Sequence, residues 1–79
     1  MITKERAEEI SKAYYEKVFH YCMIISKNNY EDSLEITQDV FWVFAKKRAE
    51  LKDDIIEHWL MSVAKKKAYE YFRRLKKES

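Results

Sequence analysis

The 79-residue chain contains neither glycine nor proline. Glycine is the ready source of positive φ and proline presets turns, so their absence argues against hairpins, phosphate-cradling loops and β-rich folds. What remains is helix joined to helix by short polar connections. A designed bundle could share the absence, but designs seldom combine six Tyr, a lone Cys and clustered Trp and His. A domain near this length buries only about 60% of its unfolded surface, so it supports one small core. Two Trp, six Tyr and four Phe exceed what such a core takes, and some of these rings are expected to face a partner.

Apolar spacing divides the chain into three helices. The first is predicted from Thr3, an N-cap residue, to about Lys27, with Ala7, Ile10, Tyr14, Val18, Tyr21 and Ile25 as its inner stripe. Asn28-Asn29-Tyr30 interrupts it, because Asn competes with the helical backbone for hydrogen bonds. The second is predicted from Asp32 or Ser33, either of which suits the cap, to about Ala49. Glu35 stands at capping-box distance from Asp32, and Ile36, Val40, Val43 and Phe44 form the inner stripe. Lys46-Lys47-Arg48 closes that helix, where positive charge suits the dipole. Residues 50–56 read as a connection with room for one helical turn. The last helix is predicted from about Glu57 to about Lys76, on an inner stripe of Leu60, Val63, Ala64, Ala68, Tyr71 and Leu75. The expected fold is all-α, a single compact three-helix bundle over residues 1–79, four-helix if the turn at Asp53–Glu57 counts. The first two helices should pair antiparallel, with the last packed across them.

Cys22 is the only cysteine, which rules out an intrachain disulfide, and its neighbours Tyr21, Met23, Ile24 and Ile25 suit a packed thiol. A reducing cytoplasm fits best. The N-terminus has no apolar signal core and no run approaches the roughly 20 apolar residues a membrane span needs, so a protein neither secreted nor membrane-embedded is expected.

Charge is segregated. Formal net charge is +1 over residues 1–27, −4 over 28–58 and +5 over 59–79, an acidic middle and a basic end that suit two different partners. On the outer side of the last helix Ser62, Lys66, Tyr69, Arg73 and Lys76 share a stripe flanked by Met61, Lys65 and Lys77. Cations there neutralise phosphate while Ser and Lys reach base edges; the competing reading is a solvated basic face. On the middle helix Glu35, Gln38, Asp39 and Trp42 form an outer stripe. A Trp ringed by polar groups has the make-up of a protein–protein hot spot; the competing reading packs Trp42 against the first helix. No catalytic constellation emerges. His20 and His58 lie on different segments, and Glu35 with Asp39 lacks a third ligand or an acid partner, so neither an enzyme nor a metal or other cofactor is expected.

From Asp32 onward the sequence resembles region 2 of bacterial sigma factors, especially the extracytoplasmic-function (ECF) group. The group's acidic-Asp-Leu-x-Gln-Glu-x-Phe stretch reads here Leu34-Glu35-Ile36-Thr37-Gln38-Asp39-Val40-Phe41. Its Trp-Leu-x-x-Ala-x-Asn stretch reads Trp59-Leu60-Met61-Ser62-Val63-Ala64-Lys65-Lys66, followed by Glu70, Arg73 and Arg74. Tyr14-Tyr15-x-x-Val18-Phe19 is similar to the group's first helix, and the resemblance spans roughly residues 12–77.

The resemblance implies a non-catalytic role in transcription initiation. Glu35, Gln38, Asp39 and Trp42 would dock on the clamp-helix coiled coil of the RNA polymerase β′ subunit. Ser62, Lys65, Lys66 and Tyr69 would face the upstream duplex edge of the promoter −10 element, with Arg73 and Arg74 on phosphates. The connection Leu51-Lys52-Asp53-Asp54-Ile55-Ile56 would cradle a base flipped from the non-template strand, and Trp59 would be buried beneath it. Partners would be core polymerase, promoter DNA and an anti-sigma factor. Lys66 departs from the group's Asn, which puts promoter preference in doubt, and no second domain for the −35 element is expected within these residues. The alternative is a helical protein-binding module without promoter recognition. A scaffold bundle without partners is the third reading.

Overall fold

The computed structural model describes the backbone of residues 2–78 and the side chains of residues 2–76. Three helices account for almost all of it: α1 (Lys4–Ile25), α2 (Tyr30–Lys47) and α3 (Ile56–Glu78). Two 3₁₀ turns, Arg48–Glu50 and Asp53–Ile55, link α2 to α3, so the connection holds two short turns where one was expected. There is no strand among the described residues.

The helix starts follow from side-chain caps. Thr3 Oγ1 accepts the Arg6 amide at 3.1 Å, as its position predicts. The second cap is Asn29, not Asp32 or Ser33: its Oδ1 accepts the Asp32 amide at 2.9 Å, and α2 therefore begins two to three residues earlier than expected. Asp32 is thereby released for another partner. The hydroxyl of Tyr71 on α3 donates to Asp32 Oδ1 at 2.6 Å, tying the end of α3 to the start of α2.

The turn between α1 and α2 solves a problem that the absence of glycine creates. Asn28 N–H bonds to Met23 O at 2.7 Å and Lys27 N–H to Ile24 O at 3.3 Å, the two closures of a Schellman motif. That motif needs a left-handed residue just past the helix. Here Lys27 (φ 58°) and Asn28 (φ 67°) take it, although only Asn tolerates the region readily. Ser26 Oγ and Ser33 Oγ, 2.9 Å apart, then pin the two helices across the turn.

Each helix contributes one buried row to a common interior: Ile10, Val18 and Cys22 from α1; Ile36, Val40 and Phe44 from α2; Leu60, Ala64 and Ala68 from α3. Ile2 ahead of α1, Leu51 from the connection and Ile56 at the start of α3 complete it. Val43 is only half-buried and Leu75 is exposed, so those stripes are narrower than the spacing suggested. A chain of rings, Tyr15–Phe41 (5.6 Å), Phe41–Phe44 (6.5 Å) and Phe44–Trp59 (6.1 Å), crosses all three helices. The pairs Tyr15–Phe41 and Ser26–Ser33 make α1 and α2 antiparallel, as expected. Phe44–Trp59 at one end and Asp32–Tyr71 at the other lay α3 antiparallel along α2. The last helix thus runs beside its neighbours and does not cross them. At 1.5 Å per residue it is about 35 Å long, which accounts for most of the 41 Å long axis.

The α2–α3 connection is clasped to α1. Arg6 grips Asp53 with both arms of its guanidinium, Nε–Oδ2 at 2.7 Å and Nη2–Oδ1 at 2.9 Å. Lys17 pairs with Glu57. Ile2 is buried and exchanges two bonds with Arg48, its amide to Arg48 O at 3.3 Å and its carbonyl from Arg48 Nη1 at 2.9 Å.

Two outcomes test this account. A left-handed residue other than Gly costs roughly 1–2 kcal/mol, against roughly 0.5–1 for the extra unfolded-state freedom of Gly. Lys27→Gly should therefore stabilise the protein by about 0.5–1 kcal/mol, raising Tm by several degrees in a thermal melt. The second concerns acid. The hydrogen bond from Arg6 holds the Asp53 carboxyl below the usual carboxylate range, and the one from Lys17 does the same for Glu57. A depressed folded pKa stabilises fully above the unfolded value, about 4, and loses that contribution as pH falls through the folded one. Tm should accordingly fall less steeply below about pH 5 in Asp53→Asn/Glu57→Gln than in wild type.

Candidate functional site

The two outer stripes are exposed and stand opposite the buried rows of their helices. On α2, Glu35, Gln38 and Asp39 are exposed, and Trp42 retains 62% of its surface. Its place follows from helical period: Ile36, Val40 and Phe44 take the inner row, which turns Trp42 outward. Trp42 does not pack against α1. One face of its ring carries Lys46, whose Nζ lies 4.3 Å from the centroid, and Val43, Lys47 and Glu50 line a shallow groove beside it. An exposed cation–π contact of this kind contributes about 0.5–1 kcal/mol. A partner covering Trp42 must therefore accept Lys46 as part of the patch.

The start of the acidic row meets the end of α3. Glu35 shares a groove with Tyr71, Arg74 and Leu75. The Tyr71 phenol is pushed above its ordinary value, first by its hydrogen bond to Asp32, then by desolvation and by Glu35. These carboxylates are thus part of the α2–α3 seam as well as of the outer face.

On α3 the predicted DNA-facing residues Ser62, Lys65, Lys66, Tyr69, Arg73 and Arg74 are all exposed, Tyr69 by 68%. The grooves of the surface take them up unequally. Lys65, Tyr69 and Arg73, with Lys76, line a groove shared with Tyr21 and Ile25 at the end of α1. Arg74 turns toward α2, and Ser62 and Lys66 line none of the grooves described here. Arg73 also borders Lys67, Glu70 and Arg74, where Lys67 and Glu70 approach to 3.8 Å. The Lys77 side chain lies outside the described residues.

The connection proposed to cradle a base is divided. Leu51 and Ile56 are buried, Ile56 as the first residue of α3, and are anchors of the core. Lys52, Asp53, Asp54 and Ile55 are exposed, with Asp53 held by Arg6. Trp59 is half-buried against Phe44, close to its expected place.

Sequence spacing put Tyr21 and Ile25 on the inner stripe and gave Phe72 no role. All three are half-buried and edge the groove between α1 and α3. The available signal was length: α1 stops at Ile25, while α3 continues past the level at which that helix ends.

His20 and His58 are both exposed. Among the described residues no group of three or more His, Cys, Asp or Glu is placed to hold a metal ion. Nor is any helix long and apolar enough to cross a membrane. The chain was compared with protein-family models, curated proteins and solved structures, and nothing in any of the three matches it.

Proposed function

We propose that this chain acts as a sigma-type region 2 module, docking on bacterial core polymerase through the outer face of α2 and meeting the promoter −10 element through the outer face of α3. The observation that carries the reading is the separation of two exposed faces on different helices, one basic on α3 and one on α2 where Glu35 and Asp39 lead to an uncovered Trp42. Trp with flanking carboxylates suits a basic or amphipathic protein surface. Exposed Lys65, Lys66, Arg73 and Arg74 suit phosphate, and Tyr69 offers a ring for stacking. The motif resemblance joins the two faces into one role.

A second reading, a protein-binding module that does not read promoters, draws on the 51–56 connection. Its two apolar ends are buried, and the exposed middle, Lys52-Asp53-Asp54-Ile55, offers no aromatic ring on which a flipped base could stack. Under this reading the α3 cations are solvated.

The docking face is tested by pull-down of core polymerase, or of the isolated β′ clamp helices, with wild type and Gln38→Ala/Trp42→Ala. Capture by wild type and its loss in the double variant is the expected result; no capture by folded wild type overturns the sigma reading. The DNA face is tested by Lys65→Glu/Lys66→Glu, which should abolish promoter opening and leave polymerase capture intact. If about four cations contact phosphate, the log–log salt slope on single strands should lie near −3. Promoter opening unchanged in the Glu variant would favour the second reading.

A further inference from the structure

The groove between α1 and α3 shares only Lys65 and Arg73 with the motifs of the resemblance, and its composition differs from that of a simple phosphate track. Its floor is Tyr21, Ile25, Ala68 and Phe72, and Tyr69 stands exposed at its side. Lys65 and Arg73 rim it, and neither makes an ion pair among the described residues. Beside it Ile24, 76% exposed, adds apolar surface at the last turn of α1. Tyr, Phe and Arg together are the side chains enriched where proteins bind one another.

The shape follows from helix lengths. The α3 lining runs from Lys65 to Lys76, about 16 Å or three turns, whereas α1 supplies only the turn Tyr21–Ile25 before it ends. Beyond that point nothing of α1 covers α3, while α2 already occupies the other side through Asp32 and Tyr71. The gap lies beside two helices that run parallel. A guest helix of three turns would place apolar side chains at i, i+3 or i+4 and i+7 over the floor. Its flanks would meet Lys65 and Arg73, which calls for Glu or Asp there.

We propose that this groove is a docking site for an acidic amphipathic helix of a partner protein, which completes a local fourth position in the bundle. The site uses Lys65, Tyr69 and Arg73, so an occupied groove and a nucleic-acid strand on α3 exclude one another. Docking itself does not depend on the promoter reading, because Ser62, Lys66 and Arg74 lie outside the groove.

The test is an amide-resolved NMR titration of the full chain with a synthetic helical peptide of about four turns, Leu on one face and Glu on its flanks. Shift changes should concentrate at Tyr21, Ile25, Ala68, Tyr69 and Phe72. Lys65→Glu/Arg73→Glu should weaken binding about tenfold or more, the scale of a lost hot spot. Lys66→Glu/Arg74→Glu should leave peptide binding unchanged, whatever it does to DNA. No binding, shifts confined to α2, or equal binding of a peptide with Lys in place of Glu would each overturn the proposal. So would a poly-dT oligonucleotide that shifts the floor residues when the peptide does not, since the groove would then be a nucleic-acid site.

Discussion

Three helices lying side by side share one interior, and each can turn only one row of side chains into it. That constraint governs everything else in this molecule. The rows Ile10-Val18-Cys22, Ile36-Val40-Phe44 and Leu60-Ala64-Ala68 fill the interior with side chains of modest size, several of them very small. Small residues on α3 and the buried Ser33 and Thr37 on α2 line that interior, and Phe44 is the single ring fully buried in it among the described residues. The aromatic surplus therefore goes to the edges, where Tyr15, Phe19, Tyr30, Phe41 and Trp59 close the seams, or outward, as with Trp42 and Tyr69. A core of this size stabilises weakly, and the clasps Arg6–Asp53 and Tyr71–Asp32 add cross-links at opposite ends of the bundle.

The elements that local periodicity controls were legible in the sequence. Three helices, the Thr3 cap, the inner rows and the outward Glu35–Trp42 face all follow from the 3.6-residue repeat. What was not legible depends on residues distant in the chain or on competition between neighbours. Asn29, Asp32 and Ser33 all suit a cap, and spacing cannot rank them. Asn29 takes the position, Ser33 bonds to Asn29 O at 2.7 Å and Asp32 reaches Tyr71. Burial of Ser33 and Thr37 contradicts their polarity and is intelligible only once α1 is seen to approach closely there.

The candidate surfaces show the same division. The helical repeat put Trp42 and the α3 cations on outer stripes but left open whether Trp42 packs against the first helix, which its 62% exposure answers. The grouping of the cations could not be read from it, because the repeat says nothing of how far α1 extends beside α3. Lys65, Tyr69 and Arg73 fall together with Tyr21 and Phe72 through the offset of two helix ends, while Arg74 also lines the groove beside α2 with Glu35 and Tyr71. The connection 51–56 was read as one functional loop, yet Leu51 and Ile56 serve the core and only the middle is available to a ligand.

Cys22 gives the bundle a built-in reporter. It sits at no exposure in the α1 row, where burial raises its thiol pKa and the Thr37 hydroxyl partly offsets the rise. Thr37 Oγ1 is itself buried and makes no hydrogen bond of ordinary geometry, so the pair forms a soft polar point in an apolar seam. A thiolate is needed for alkylation and disulfide exchange, and Cys22 can form one readily only when α1 parts from α2. The rate at which a thiol reagent labels this single cysteine therefore counts openings of the bundle, and a ligand that spans α1 and a second helix would slow that clock without touching the sulfur.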